Sequence, residues 1–100
     1  MATAQAERFR VRVGGWFNSR YVILRESEVA FEVALAGCSH CDVCRSRIYR
    51  VDQALQGLKH RTEYQDGGLY YVLPYPSGRP NTPEKVAEFL SETLRLSIRA

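Results

Sequence analysis

The sequence is poor in the motifs that announce an enzyme. It has no glycine-rich phosphate loop, no H-E-x-x-H pair and no G-x-S-x-G nucleophile elbow. Catalysis beyond thiol chemistry therefore has no positive support. No apolar run approaches the ~20 residues of a membrane helix, and the opening "MATAQAERFR" lacks the apolar stretch of a secretory signal. The expectation is a soluble, cytoplasmic protein with no membrane partner. Low-complexity segments and internal repeats are missing too. Lysine is scarce, at two residues against twelve arginines. Arginine forks suit carboxylate and phosphate partners. The net charge is only +3, and residues 1–50 hold the whole excess, with eight arginines against five acids. That balance is too mild for a dedicated nucleic-acid binder.

What is present fits one small α+β domain spanning 1–100, with 1–6 expected as a frayed tail. "RFRVRV" alternates strictly, Phe9, Val11 and Val13 on one face and Arg8, Arg10 and Arg12 on the other, which predicts a half-buried strand. "RYVILR", residues 20–25, reads as a central strand, and "VAFEVAL", residues 29–35, as a third. Cys41, Cys44, Ile48, Val51, Leu55 and Leu58 are spaced 3, 4, 3, 4, 3. That rhythm predicts a helix over about 40–57, with Ser39 as its cap. "RTEYQ", "DGG" and "LYYVL" predict a hairpin turning at Asp66-Gly67. A loop carrying Pro74, Pro76, Gly78 and Pro80 follows. Thr82-Pro83 then caps a last helix with the stripe Val86, Phe89, Leu90, Leu94 and Ile98. The expected order is β-β-β-α-β-β-α: a largely antiparallel sheet of about five strands, with two helices packed on one face.

All three cysteines lie in "AGCSHCDVCRSRIYR", residues 36–50. In a reducing compartment such clustering points to metal or redox chemistry before a disulfide framework. On the predicted helix Cys38, Cys41 and Cys44 converge near the N-terminus, where the dipole and free N–H groups stabilise thiolates. Structural zinc takes four ligands, and His40 is the nearby fourth candidate. His60 stands at the far end of the helix, out of reach. Two or three thiolates without a fourth ligand suit Cu(I). An iron–sulfur cluster ranks lower, because the ferredoxin-type run stops at its third cysteine, with Ile48 in the fourth position. Two other readings stay open. Cys38 and Cys41 form a C-x-x-C that could act as a redox dithiol, with Cys38 attacking and His40 tuning the pair. Alternatively, Cys41 and Cys44 simply extend the apolar stripe into the core.

Strand, "AGCSHC", helix, hairpin and second helix together resemble the heavy-metal-associated domain. That resemblance implies a ferredoxin-like fold, with Cys38 and Cys41 binding a soft metal, usually Cu(I), for transfer to a partner. Ala36 stands where that family carries a Met, and residues 8–25 have no counterpart in it.

Arg8, Arg10 and Arg12 on one strand, and Arg45, Arg47, Arg50 and Tyr49 on the helix, are the candidate partner-binding residues, for phosphate contact or tyrosine stacking. The reading that results is a non-catalytic metal-binding domain. It would use the C-x-x-C-x-x-C thiolates and His40 to hold zinc or copper, as a metal carrier or a metal-stapled interaction module. The expected partner is another protein, with nucleic acid second, and a larger assembly would suit a chain of this size. The alternative is an interaction module with core cysteines and no metal.

Overall fold

Alternation in the first strand becomes a two-faced sheet in the computed structural model, which describes residues 7–38, 41–75 and 82–100. The strands are β1 (Glu7–Val13), β2 (Arg20–Arg25), β3 (Glu28–Ala34), β4 (Arg61–Gln65), β5 (Gly68–Pro74) and β6 (Ile98–Arg99). They form one sheet in the order β4-β5-β3-β2-β1-β6, antiparallel at every pairing. Helices α1 (Asp42–Ala54) and α2 (Pro83–Leu94) share a single core with one sheet face. Val11, Val22, Leu24, Val29, Phe31, Tyr71 and Leu73 come from the strands. Cys44, Val51 and Leu55 come from α1, and Val86, Leu90 and Leu94 from α2.

Among the described residues no helix covers the opposite sheet face, yet Ile23, Ala30, Tyr70 and Val72 are buried on it. Long polar side chains roof this strip. The guanidinium groups of Arg8 and Arg10 lie 3.6 and 4.3 Å from the centre of the Tyr21 ring. Arg25 holds Glu63 by two hydrogen bonds, and Arg61 pairs with Glu28. Glu32 accepts from the Tyr21 N–H at 3.2 Å and from the Tyr70 hydroxyl at 3.4 Å.

Among the described residues the sheet has six strands where about five were expected. The extra one, β6, comes from a different end to α2. The helix stops at Leu94, Arg95 turns left-handed at φ 55°, and Ile98 pairs with Val13 in place of continuing the helical stripe. Leu94 and Ile98 are four apart, so helical spacing alone absorbs both. The Ser91 hydroxyl decides the matter: it accepts the Ile98 N–H at 3.1 Å and lies 2.8 Å from the Ala87 carbonyl.

Helix α1 is also shorter than the stripe suggested. Leu55 closes it, and Leu58 is exposed. The hairpin turn is as expected, with Asp66 and Gly67 both at positive φ (51° and 82°), the pattern of a primed two-residue turn. The Thr82 hydroxyl caps α2 by accepting the Lys85 N–H. Residues 1–6, Ser39 and His40, and Pro76, Gly78 and Pro80 lie outside the described residues. Among the described residues no helix is long and apolar enough to cross a membrane.

Candidate metal centre

The site begins with an irregularity in β3. Its register against β5 shifts between Glu32 and Ala34, so Val33 and Ala34 both enter the core. A tight turn follows, closed by the Cys38 N–H on the Leu35 carbonyl at 3.0 Å. Gly37 sits in it at φ 76°, a conformation open to glycine at little cost. The turn delivers Cys38 to the start of α1.

Cys41 is the N-cap of that helix, so the cap lies two residues beyond Ser39. Its backbone is extended (φ −77°, ψ 154°), and its sulfur accepts the Cys44 N–H at 3.4 Å. A thiol thus stands where a hydroxyl or carboxylate oxygen usually sits. Cys44 lies in the first turn, 2% exposed, within the shared core. Cys38 is half-buried against that core, and Cys41 is exposed.

The three Sγ atoms lie within 4.8 Å of one another, close enough to bind one metal ion. Cys44 donates to Cys38 at 3.3 Å, and Cys38 stands 2.9 Å from Cys41. This chain of hydrogen bonds ends on Cys41. Donation from Cys38, and then from the Cys44 N–H, lowers the Cys41 pKa to about 7. Cys38, as donor to Cys41, is pushed up to about 12. In this arrangement the lowered pKa falls on Cys41, whereas the dithiol reading expects it at Cys38. Its position at the helix N-terminus works in the same direction.

Sequence reasoning missed a charged residue buried on the helix-facing side of the sheet. Arg20 is 0% exposed, on the helix-facing side of β2 with Val22 and Leu24. One guanidinium nitrogen, Nη1, donates to the Asn18 and Ser19 carbonyls, both at 3.2 Å. Nε and Nη2 are buried with no hydrogen-bond partner. Burial lowers the Arg20 pKa, and Arg47 acts the same way; Glu32, Cys44 and Cys38 oppose them. The Trp16 ring stands near both arginines, 5.0 Å from the Arg20 guanidinium and 4.8 Å from that of Arg47. The signal lay in parity. In "RYVILR" Arg20 shares its face with Val22 and Leu24, so it had to enter the core with them.

The other expected site residues fall elsewhere. His40 is outside the described residues. The His60 ring stacks on Tyr71, with its Nδ1 2.7 Å from the Leu58 carbonyl. Arg8 and Arg10 clasp Tyr21 on the helix-free face. Arg45, Tyr49 and Arg50 are exposed on α1, in the other layer. Phe17, 96% exposed in the β1–β2 loop, borders two hollows, one lined also by Arg47 and Arg50 and the other by Arg12 and Arg99. No family model matches the chain, and no curated protein or solved structure matches it either.

The donor set suits a metal. Three thiols of one cluster bring soft ligands, one already acidified, together at a helix N-terminus. Thiolate–zinc bonds of ~2.3 Å place tetrahedral sulfurs about 3.8 Å apart. The observed separations, from 2.9 Å to at most 4.8 Å, bracket that spacing.

Proposed function

We propose that the chain is a small, non-catalytic metal-binding domain whose ion is held by Cys38, Cys41 and Cys44, with zinc or Cu(I) as its cargo or staple. The observation that carries this reading is the convergence of three sulfurs within 4.8 Å at one helix N-terminus. A single ion suits that spacing better than an iron–sulfur cluster, whose thiolates bind separate irons and so stand farther apart. The run β3-α1-β4-β5-α2-β6 has the β-α-β-β-α-β order of ferredoxin-like units, which supports kinship in design with the heavy-metal-associated domain. Here β1 and β2 lie between β3 and β6 in the sheet. Exposed Cys41 leaves one side of the ion open to a ligand from a partner protein. Residence in the cytoplasm, where thiols stay reduced, belongs to the same reading.

The test is metal content per chain in protein purified without oxygen or chelator, followed by cobalt substitution. About one equivalent of zinc or copper, with thiolate-to-cobalt charge-transfer bands lost in Cys41→Ser, is the expected result. Metal-free protein that binds neither zinc, cobalt nor Cu(I) would overturn it.

One observation favours a second reading, a metal-independent interaction module. Phe17 stands free among Arg12, Arg47, Arg50 and Arg99, an aromatic and basic surface fit for a protein or nucleic-acid partner. On that reading a Phe17→Ser variant loses the partner, whereas replacing all three cysteines by serine or alanine leaves partner binding intact.

A further inference from the structure

The twelve arginines do not share one fate in this fold. Arg8, Arg25 and Arg61 face Asp66, Glu63 and Glu28, and Arg20 is held by backbone carbonyls. Around the β1–β2 loop the acids run out. Arg12 and Arg99 line one hollow there, of about 530 Å³, and Arg47 and Arg50 line the other, of about 430 Å³. Among the described residues no carboxylate pairs with any of these four. Asp42 is the one acid among the described residues lining either hollow, so the excess charge gathered there equals the +3 of the whole chain. Arg12 and Arg99 are moreover direct partners in the β1–β6 pairing. Like charges directly opposite one another destabilise a strand pair, and β6 is only two residues long. An anion held between the two removes that penalty. Phe17 borders both hollows with its ring 96% exposed, and Trp16 lines both beside it.

We propose that this end of the sheet binds single-stranded nucleic acid, with Phe17 stacking on a base and the Arg12–Arg99 and Arg47–Arg50 pairs holding neighbouring phosphates. The inference goes beyond the metal-binding reading and does not depend on it. A fitting ligand supplies anionic groups to both hollows and a flat apolar face to the ring that borders them. Each nucleotide carries both. Its phosphate suits arginine forks, and its base stacks on an aromatic ring whatever the sequence. Asp and Glu give an acidic peptide the charge without the face. A duplex has the charge, but its bases already stack on one another inside it. The placement of the two pairs adds a shape requirement. By strand parity Arg12 points away from the core residues Val11 and Val13, to the helix-free side, whereas Arg47 and Arg50 belong to α1 in the other layer. A ligand that reaches both pairs has to follow the loop from one layer to the other. A flexible single strand can do so, and a stiff duplex cannot.

The experiment measures anisotropy of fluorescein-labelled single strands of about ten nucleotides, oligothymidylate and oligouridylate, titrated with the full chain over a range of salt. Wild type should bind at least one of the two, and the ratio of their affinities tells a DNA surface from an RNA surface. Phe17→Ala should bind roughly 5–150-fold more weakly, the worth of one stacked base, and Phe17→Tyr, which keeps a ring, should recover most of that. Arg12→Gln and Arg50→Gln should each flatten the slope of log affinity against log salt by about 0.7. Arg99→Gln should weaken binding yet melt no lower than wild type, because the opposed arginine pair is relieved. Arg45→Gln, also exposed on α1 but lining neither hollow, should leave affinity unchanged. Four outcomes overturn the proposal: neither strand binds wild type at low salt; Phe17→Ala binds as wild type does; Arg45→Gln loses as much as Arg50→Gln; or unlabelled duplex or polyglutamate displaces the strand as well as unlabelled single strand does. The polyglutamate result would assign the surface to an acidic protein. Cys38, Cys41 and Cys44 line neither hollow, so failure here leaves the metal-binding reading standing.

Discussion

At Cys41 two demands meet on one sulfur. The atom caps a helix, a task for which oxygen side chains are better suited, and the hydrogen bonds it accepts from Cys38 and from the Cys44 N–H lower its pKa to about 7. The two demands respond differently to substitution. Serine restores a good cap but removes a soft ligand. Metal-free Cys41→Ser should unfold at the same urea concentration as wild type or slightly above it, while its metal affinity collapses. The pH response has a definite sign. The folded pKa of Cys41 lies below that of a free thiol, so the thiolate's contribution to stability is present at alkaline pH and is lost as the pH falls through about 7. In metal-free protein, iodoacetamide should modify Cys41 with a rate midpoint near pH 7, and buried Cys44 should resist until the chain unfolds. Mass mapping of the modified peptides distinguishes the sites. At this scale the sequence was half legible. The stripe placed Cys44 beside Val51 and Leu55 correctly. It could not place the cap, because Ser39 outranks any cysteine on capping preference, and it passed over Arg20 because a strand flanked by arginines reads as polar-ended.

Elements were easier to read where a local rule had no rival. The Asp66-Gly67 turn and the Thr82-Pro83 start rest on backbone preferences that tertiary contacts seldom overrule. The end of α2 was not readable, since it depends on a contact made across the molecule. Pairing of Ile98 and Arg99 with Val13 and Arg12 covers the edge of β1, and the Ser91 hydroxyl holds the returning strand in place. Gly14 takes part as well: its N–H meets the Ser97 carbonyl at 2.7 Å, and an added Cβ would stand 3.1 Å from the Ser97 Cβ. Ser91→Ala leaves the Ile98 N–H without its acceptor and should cost about 1–2 kcal/mol. Urea denaturation measures that loss, and amide exchange at Ile98 should quicken more than at core positions such as Val22. If the two accelerate equally, β6 melts only with the whole fold and is not a separately held strand.

For the molecule as a whole, the cysteine cluster ties the end of β3 to the beginning of α1, and Cys44 roots it in the core shared by both helices. On the metal-binding reading, an ion held there should stabilise the entire two-layer structure, not one loop. With free zinc at a hundred times its dissociation constant, the gain is about 2.7 kcal/mol. In a domain of this size that corresponds to roughly 10–20 °C in the melting temperature. Scanning calorimetry with and without a chelator measures it; a shift confined to a partial early transition would mean that the metal orders only its own surroundings. The general architecture was foreseeable from alternation and helical spacing. The sheet order was not, because nothing local tells β1 to separate β2 from β6.

Trp16, the sole tryptophan of the chain, stands within 5.0 Å of the guanidinium groups of both Arg20 and Arg47. Indole emission responds to the electric field along the ring. Replacing Arg20 or Arg47 by Met removes a charge beside the ring, so the emission should shift in either variant. Because Trp16 and Cys38 pack against the same core that holds Cys44, a fluorescence titration of the unlabelled protein with zinc is expected to move the emission if the proposed site fills, and to leave it unchanged if it does not.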